Sequence, residues 1–145
     1  MVHMQPSALP DCCAPPTGPP AQCVFESGPE AAGKARRYVR ELLRHDDNPL
    51  DDTRLADVLL TVSELVTNAY RYGTEPGDSV LVKVLTTDKR VRIEVHDPRR
   101  KRPRLRNESD ERARGRGLHI IDGLAARWGT DDREFGKAVW VELER

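Results

Sequence analysis

The 145-residue sequence predicts an α+β fold: a two-layer sandwich in which a mostly antiparallel mixed sheet carries about three helices on one face. Three observations lead there. Each segment with helical periodicity has a single apolar stripe, so each wants one partner surface. Segments with period-two alternation come as a central hairpin and as single runs near the two ends. The order along the chain is strand, helix, helix, hairpin, loop, helix, strand. One sheet shared by helices on a single side is the economical solution, and there are no internal repeats.

The first 21 residues hold Pro6, Pro10, Pro15, Pro16, Pro19 and Pro20. Proline removes a donor and breaks helix and sheet interiors, so residues 1–21 read as a disordered tail and 22–145 as the domain. Gln22 to Glu26 suits a short edge strand. Ser27 followed by Glu30 has the spacing of a capping box, and Ala31, Ala35, Tyr38, Val39 and Leu42 then repeat at helical spacing to about Arg44. The run "HDDNPLDD" ends that helix and supplies a new N-cap.

A second helix runs from about Asp52 to Tyr70. Leu55, Val58, Leu59, Val62, Leu65, Val66 and Ala69 form its stripe, within a sector of about 120° at 100° per residue. Asp57, Thr61, Glu64 and Asn68 fall nearly opposite, and Gly73 with "EPGD" closes the helix. Val80, Val82 and Val84, then Val91, Ile93 and Val95, alternate across a "TTDK" linker, which predicts an antiparallel hairpin. A polar loop follows from Asp97 to about Arg114. A third helix opens at Gly115-Arg116-Gly117, with Leu118, Ile121, Leu124, Ala125 and Trp128 as its stripe. A turn with a short strand fills Gly129 to Gly136, and a last strand spans Lys137 to Leu143.

Composition narrows the function. Lys plus Arg equal Asp plus Glu at 24 each, so bulk charge selects neither nucleic acid nor a membrane surface. The balance hides a local excess: nine basic residues lie between Arg99 and Arg116, against Glu108, Asp110 and Glu111. That stretch has no aromatic residue on which a base would stack, and no direct nucleic-acid contact is expected. No run of about 18 apolar residues exists and no leader pattern opens the chain, so the expected address is cytoplasmic. Cys12, Cys13 and Cys23 fit neither a disulfide scaffold nor a zinc site.

Three elements have the residue types for chemistry. Glu64 and Asn68 lie four apart on a helix and point the same way, within about 6 Å of each other. A carboxylate takes a proton from a hydroxyl, and a carboxamide oxygen is a hard ligand suited to magnesium. Taken alone, the pair reads as an exposed polar stripe. Gly115 and Gly117 at a helix start allow close backbone approach to an anion, with charge from Arg114 and Arg116; alone, this is a flexible turn. Asp97 ends a strand, where a carboxylate accepts from an exocyclic amine; alone, it is an ordinary residue before Pro98.

Their order tells more than any one of them. "SELVTNAYRYG" on a helix, an Asp closing the hairpin, "GRGLHIIDGLAARWG", then "GKAVW" resembles the GHKL-type, histidine-kinase-like ATPase domain over about residues 22–144. More narrowly it resembles the single-domain bacterial anti-sigma-factor serine/threonine kinases. The resemblance implies ATP and Mg²⁺ as cofactors. It implies Glu64 as general base, Asn68 as the Mg²⁺ ligand, Asp97 as the adenine-binding residue, and Gly115, Arg116, Gly117 and Leu118 at the phosphates, beside a lid between Asp97 and Arg114. It implies a sigma factor and a small anti-anti-sigma, STAS-like protein as partners, and a possible homodimer. Arg99 departs from the glycine usual two residues after the Asp, Tyr72 replaces a frequent His, and Ala138 stands where a Thr hydroxyl often lies near the adenine. A non-catalytic, partner-binding switch with a degenerate nucleotide site is the alternative. His45, His96 and His119 read as surface or packing residues.

Overall fold

The computed structural model describes residues 20–98 and 119–145. Its elements are β1 (Ala21–Glu26), α1 (Ala31–Arg44), α2 (Asp52–Asn68) continuing into a π-helical turn (Ala69–Gly73), β2 (Ser79–Thr86), β3 (Arg90–Asp97), a helical stretch α3 (119–124), β4 (Arg127–Arg133) and β5 (Gly136–Glu144). The five strands form one sheet in the order β1-β2-β3-β5-β4, with every neighbouring pair antiparallel. The described helices all bury their stripes against the same face, as the α+β sandwich requires.

The core follows the alternation. Val80, Val82 and Val84 of β2, Val91, Ile93 and Val95 of β3, and Val141 and Leu143 of β5 point to the helices. They meet Ala31, Ala35, Val39 and Leu43 of α1, Val58, Val62, Leu65 and Val66 of α2, and Ile121 of α3. Phe25 of β1 meets Tyr38 of α1 edge to face, with centroids 5.9 Å apart. No helix among the described residues is long and apolar enough to cross a membrane.

Helix starts differ in their chemistry. Asp51 caps α2 by accepting the Arg54 backbone N–H at 2.7 Å. The box expected at α1 does not form. Glu30 stands at the N-cap with no side-chain bond, because the Ser27 hydroxyl is engaged by Thr74 and the Ser27 N–H by the Asp78 carbonyl. The first turn closes instead through the Ala31 N–H to the Gly28 carbonyl. A long-range partner has taken the group that a local motif needed.

Two further expectations are corrected. Trp128 does not continue the third helix. Helical structure ends at Leu124, the Ala126 N–H donates to the Glu142 carbonyl, and Arg127 to Arg133 form a full edge strand with Trp128 opposite Val141. The free edge of β5 offers a whole ladder of backbone partners, which outweighs one more helical turn. The polar alternation of β3 is also not an exposed face. Arg92 and Glu94, pointing away from the helices, are buried together with Trp140 and Glu142 of β5.

That outer face holds an ion lattice. The Arg92 guanidinium donates to Glu94 at 2.8 Å and to Glu142 at 3.0 Å, and sits 4.5 Å from the centroid of Trp140. Arg127 reaches Glu142 at 2.6 Å, while Arg133 reaches Glu94 at 3.4 Å. His96 Nε2 lies 2.9 Å from Glu94 Oε1. Burial raises the Glu94 pKa, but the His96 hydrogen bond and the Arg92 charge outweigh it and bring the group down to about 2.

Candidate functional site

The site is built from the end of α2. Glu64 and Asn68 lie one turn apart there, both half-buried. Their side of the helix is less open than its polarity indicates: Thr61, one turn before Glu64, is fully buried and donates its hydroxyl to the Asp57 carbonyl at 2.9 Å. Arg36 of α1 donates to Ser63 at 2.8 Å and ties the two helices at this level.

After Asn68 the backbone widens into the π-helical turn, a geometry found often at functional sites. It delivers Gly73 to Asp97. A Cβ at Gly73 would stand 2.5 Å from the Asp97 carboxylate carbon, a separation real Cβ atoms do not adopt. Glycine here does more than end a helix; it admits the carboxylate of a strand. Thr74 then donates to the Tyr70 carbonyl at 3.1 Å, and the Glu75 N–H donates to Asp78 at 2.8 Å, fixing the loop into β2.

Asp97 is the last residue of β3. Its carboxylate shares the helix-facing side with Val91, Ile93 and Val95, and the residue is only 6% exposed. Directly opposite on β5 is Lys137, whose Nζ lies 3.0 Å from Asp97 Oδ1. Asp97 and Lys137 both line a cavity of about 350 Å³, with Lys83, His96, Arg133, Glu134 and Phe135, and a second cavity of about 210 Å³ is lined by Gly73, Thr74, Glu75, Asp78 and Pro98. Gly136, with φ 146°, turns β5 away from the Glu134–Phe135 tip; a side chain there would collide with the Asp97 backbone.

Of the residues predicted from sequence, Glu64, Asn68 and Asp97 are described, and Gly73 joins the end of their helix to Asp97. Gly115, Arg116, Gly117 and Leu118 lie outside the described residues, as do Arg99 and the basic loop. Ala138 is paired with His96 and so belongs to the outer face; on the Asp97 side the equivalent β5 residue is Lys137. Sequence reasoning missed both Gly73's role and Lys137. The only signal for the latter was a cation opening one strand and an anion ending another.

The donor set bears on which ligands fit. Among the described residues no group of three or more His, Cys, Asp or Glu could hold a metal. Magnesium at Asn68 would therefore lean on phosphate oxygens and water for its remaining ligands, as that ion usually does. A carboxylate set between Gly73 and a lysine is a fixed hydrogen-bond acceptor.

Residues 25–143 match the sequence profile of a family described as the histidine kinase-like ATPase domain. No curated protein matches the chain.

Proposed function

The chain belongs to the histidine kinase-like ATPase family over residues 25–143, and from that premise we propose an anti-sigma-factor-type serine/threonine protein kinase that works in the cytoplasm. Its substrate is a small STAS-like, anti-anti-sigma protein, and it also holds a sigma factor. Family membership supports ATP binding in a regulatory, kinase-like domain; the finer reading rests on the residues.

The observation that carries it is the meeting of the α2 end with Asp97 through Gly73. Two elements 24 positions apart in the motif order converge there, as a nucleotide site between them requires. Bound ATP with Mg²⁺ supplies the phosphoryl group. Glu64 takes the proton of the attacking serine or threonine hydroxyl, a role worth ~10²–10⁴ in rate. Asn68 lends its carboxamide oxygen to the metal, and Asp97 accepts from the amino group of the base. Gly115, Arg116, Gly117 and Leu118 serve the phosphates. Phosphoryl transfer asks the protein mainly for positioning and charge neutralisation, which these residue types provide.

The test is calorimetry with ATP and Mg²⁺, followed by label transfer from ATP to a purified STAS-like protein. Glu64→Ala is expected to keep binding and lose transfer. Transfer retained in that variant would remove Glu64 from the chemistry, and absence of ATP binding would sink the whole reading. One observation favours the alternative of a non-catalytic switch: the Asp97 carboxylate already pairs with Lys137 at 3.0 Å. That reading expects no nucleotide heat at millimolar ATP from a folded sample, with partner binding intact.

A further inference from the structure

One end of the sheet gathers cations that its ion pairs do not use up. The cavity of about 350 Å³ takes its walls from β2, β3, β5, the end of β4 and the β4–β5 turn, and none from α1 or α2. Lys83 and His96 face away from the helices there, Lys83 opposite Glu94 and His96 opposite Ala138. Two of the four basic side chains are committed. Lys137 Nζ lies 3.0 Å from Asp97 Oδ1, and His96 Nε2 lies 2.9 Å from Glu94 Oε1. The other two are not. Lys83 forms no ion pair among the described residues; Glu94, directly across from it, is held by Arg92 at 2.8 Å and by His96. Arg133 reaches Glu94 through Nη2 at 3.4 Å, and its Nε is buried with no hydrogen-bond partner. Glu134 on the turn is exposed, where water screens its charge.

The same cavity has an apolar wall. Phe135, at the tip of the β4–β5 turn, is 82% exposed, the most of any large hydrophobic residue described. A single exposed apolar side chain is ordinary. One that lines a cavity with under-used cations is the combination small-ligand sites are built from: apolar surface for affinity and a few charged groups for orientation. The volume falls within the range of such sites, about 300–1,000 Å³. We propose that this cavity is a binding site, separate from the Glu64–Asn68 side of the molecule, for a small anion joined to an apolar body. A phosphate or carboxylate meets Lys83 and Arg133, and the ring or alkyl part lies against Phe135. Lysine and arginine donate only, so an anionic oxygen is the group that complements them.

The test titrates the full chain at low ionic strength with phenyl phosphate, benzoate and inorganic phosphate, followed by two-dimensional amide NMR. At least one of the two aromatic anions is expected to shift the Lys83, His96, Phe135 and Lys137 amides saturably, to leave Glu64 and Asn68 unmoved, and to bind tighter than inorganic phosphate. Whichever aromatic anion binds tighter names the anionic group. Lys83→Gln should weaken that binding about tenfold, the loss of one charge-assisted contact. Phe135→Ser should remove the preference for the ring while inorganic phosphate binds as before. Neither side chain belongs to the core, and the same spectra report that both variants stay folded. Shifts that do not saturate, or that are unchanged in Lys83→Gln, overturn the proposal. A repeat with ATP and Mg²⁺ present should give the same shifts; their loss by competition gives the cavity to the nucleotide and overturns it too. The titration without nucleotide decides the matter whether or not ATP binds.

Discussion

At the scale of a residue, the site turns on how closely Gly73 and Asp97 approach. Gly73→Ala places a methyl 2.5 Å from the carboxylate carbon, so either Asp97 or the π-helical turn must move. Overpacking of this kind costs ~1–3 kcal/mol, and under the proposed function it moves the carboxylate from where it would accept from the base. The variant is expected to melt lower and to bind ATP more weakly, read by denaturant titration and calorimetry. Gly123→Ala is the control: no atom lies within 4 Å of a Cβ there, and neither stability nor binding should fall. Equal behaviour of the two variants would show that the carboxylate is free to move. The alignment of Glu64 with Asn68 on one helix was legible because the spacing that sets it is local. Gly73 was read as a helix terminator, since nothing nearby in sequence names a carboxylate 24 positions on. The Lys137–Asp97 pair spans 40 positions and depends on β3 and β5 being neighbours, which the hairpin order does not state.

At the scale of an element, the two helix starts separate local from distant chemistry. Asp51→Ala removes a cap that is made and should cost ~1 kcal/mol in chemical denaturation. Glu30→Ala removes a partner that is never engaged and should leave stability nearly unchanged. A matching loss in both would mean that Glu30 does cap α1 in solution. Most strands were readable because one face of each is apolar: β2, β3 and β5 all alternate. β4 was not. Its sequence "RWGTDDR" buries little apolar surface, and Trp128 also sits at helical spacing after Ile121 and Leu124. Only the edge of β5, contributed by later residues, settles the choice. The outer face of β3 was hidden for the opposite reason: alternation correctly assigns Arg92 and Glu94 to one side, but burial depends on what pairs with them across strands.

At the scale of the whole molecule, one side of the sheet is held by hydrocarbon and the other by charge. Glu142 receives Arg90, Arg92 and Arg127 with its side chain fully buried, so Glu142→Gln leaves several guanidiniums short of a counter-charge. Breaking a buried pair in this way costs ~3–5 kcal/mol, to be read as a lower denaturation midpoint. The same lattice gives stability a defined dependence on pH. Glu94 titrates at about 2 in the folded protein against 4.5 for an unperturbed group, because His96 and Arg92 outweigh its burial. A depressed carboxyl pKa means the unfolded chain takes up the proton first. The contribution is therefore complete above about pH 4.5, declines as pH falls, and is gone near pH 2. At about 1.36 kcal/mol per unit the shift is worth on the order of 3 kcal/mol. Glu94→Gln cannot titrate at this position, so the stability gap between it and the unaltered protein should be widest near neutrality and close as the pH drops through that window. Denaturant titrations at a series of pH values measure the gap directly, and a gap that stays constant into acid would mean that the carboxylate is not held by its neighbours on the outer face.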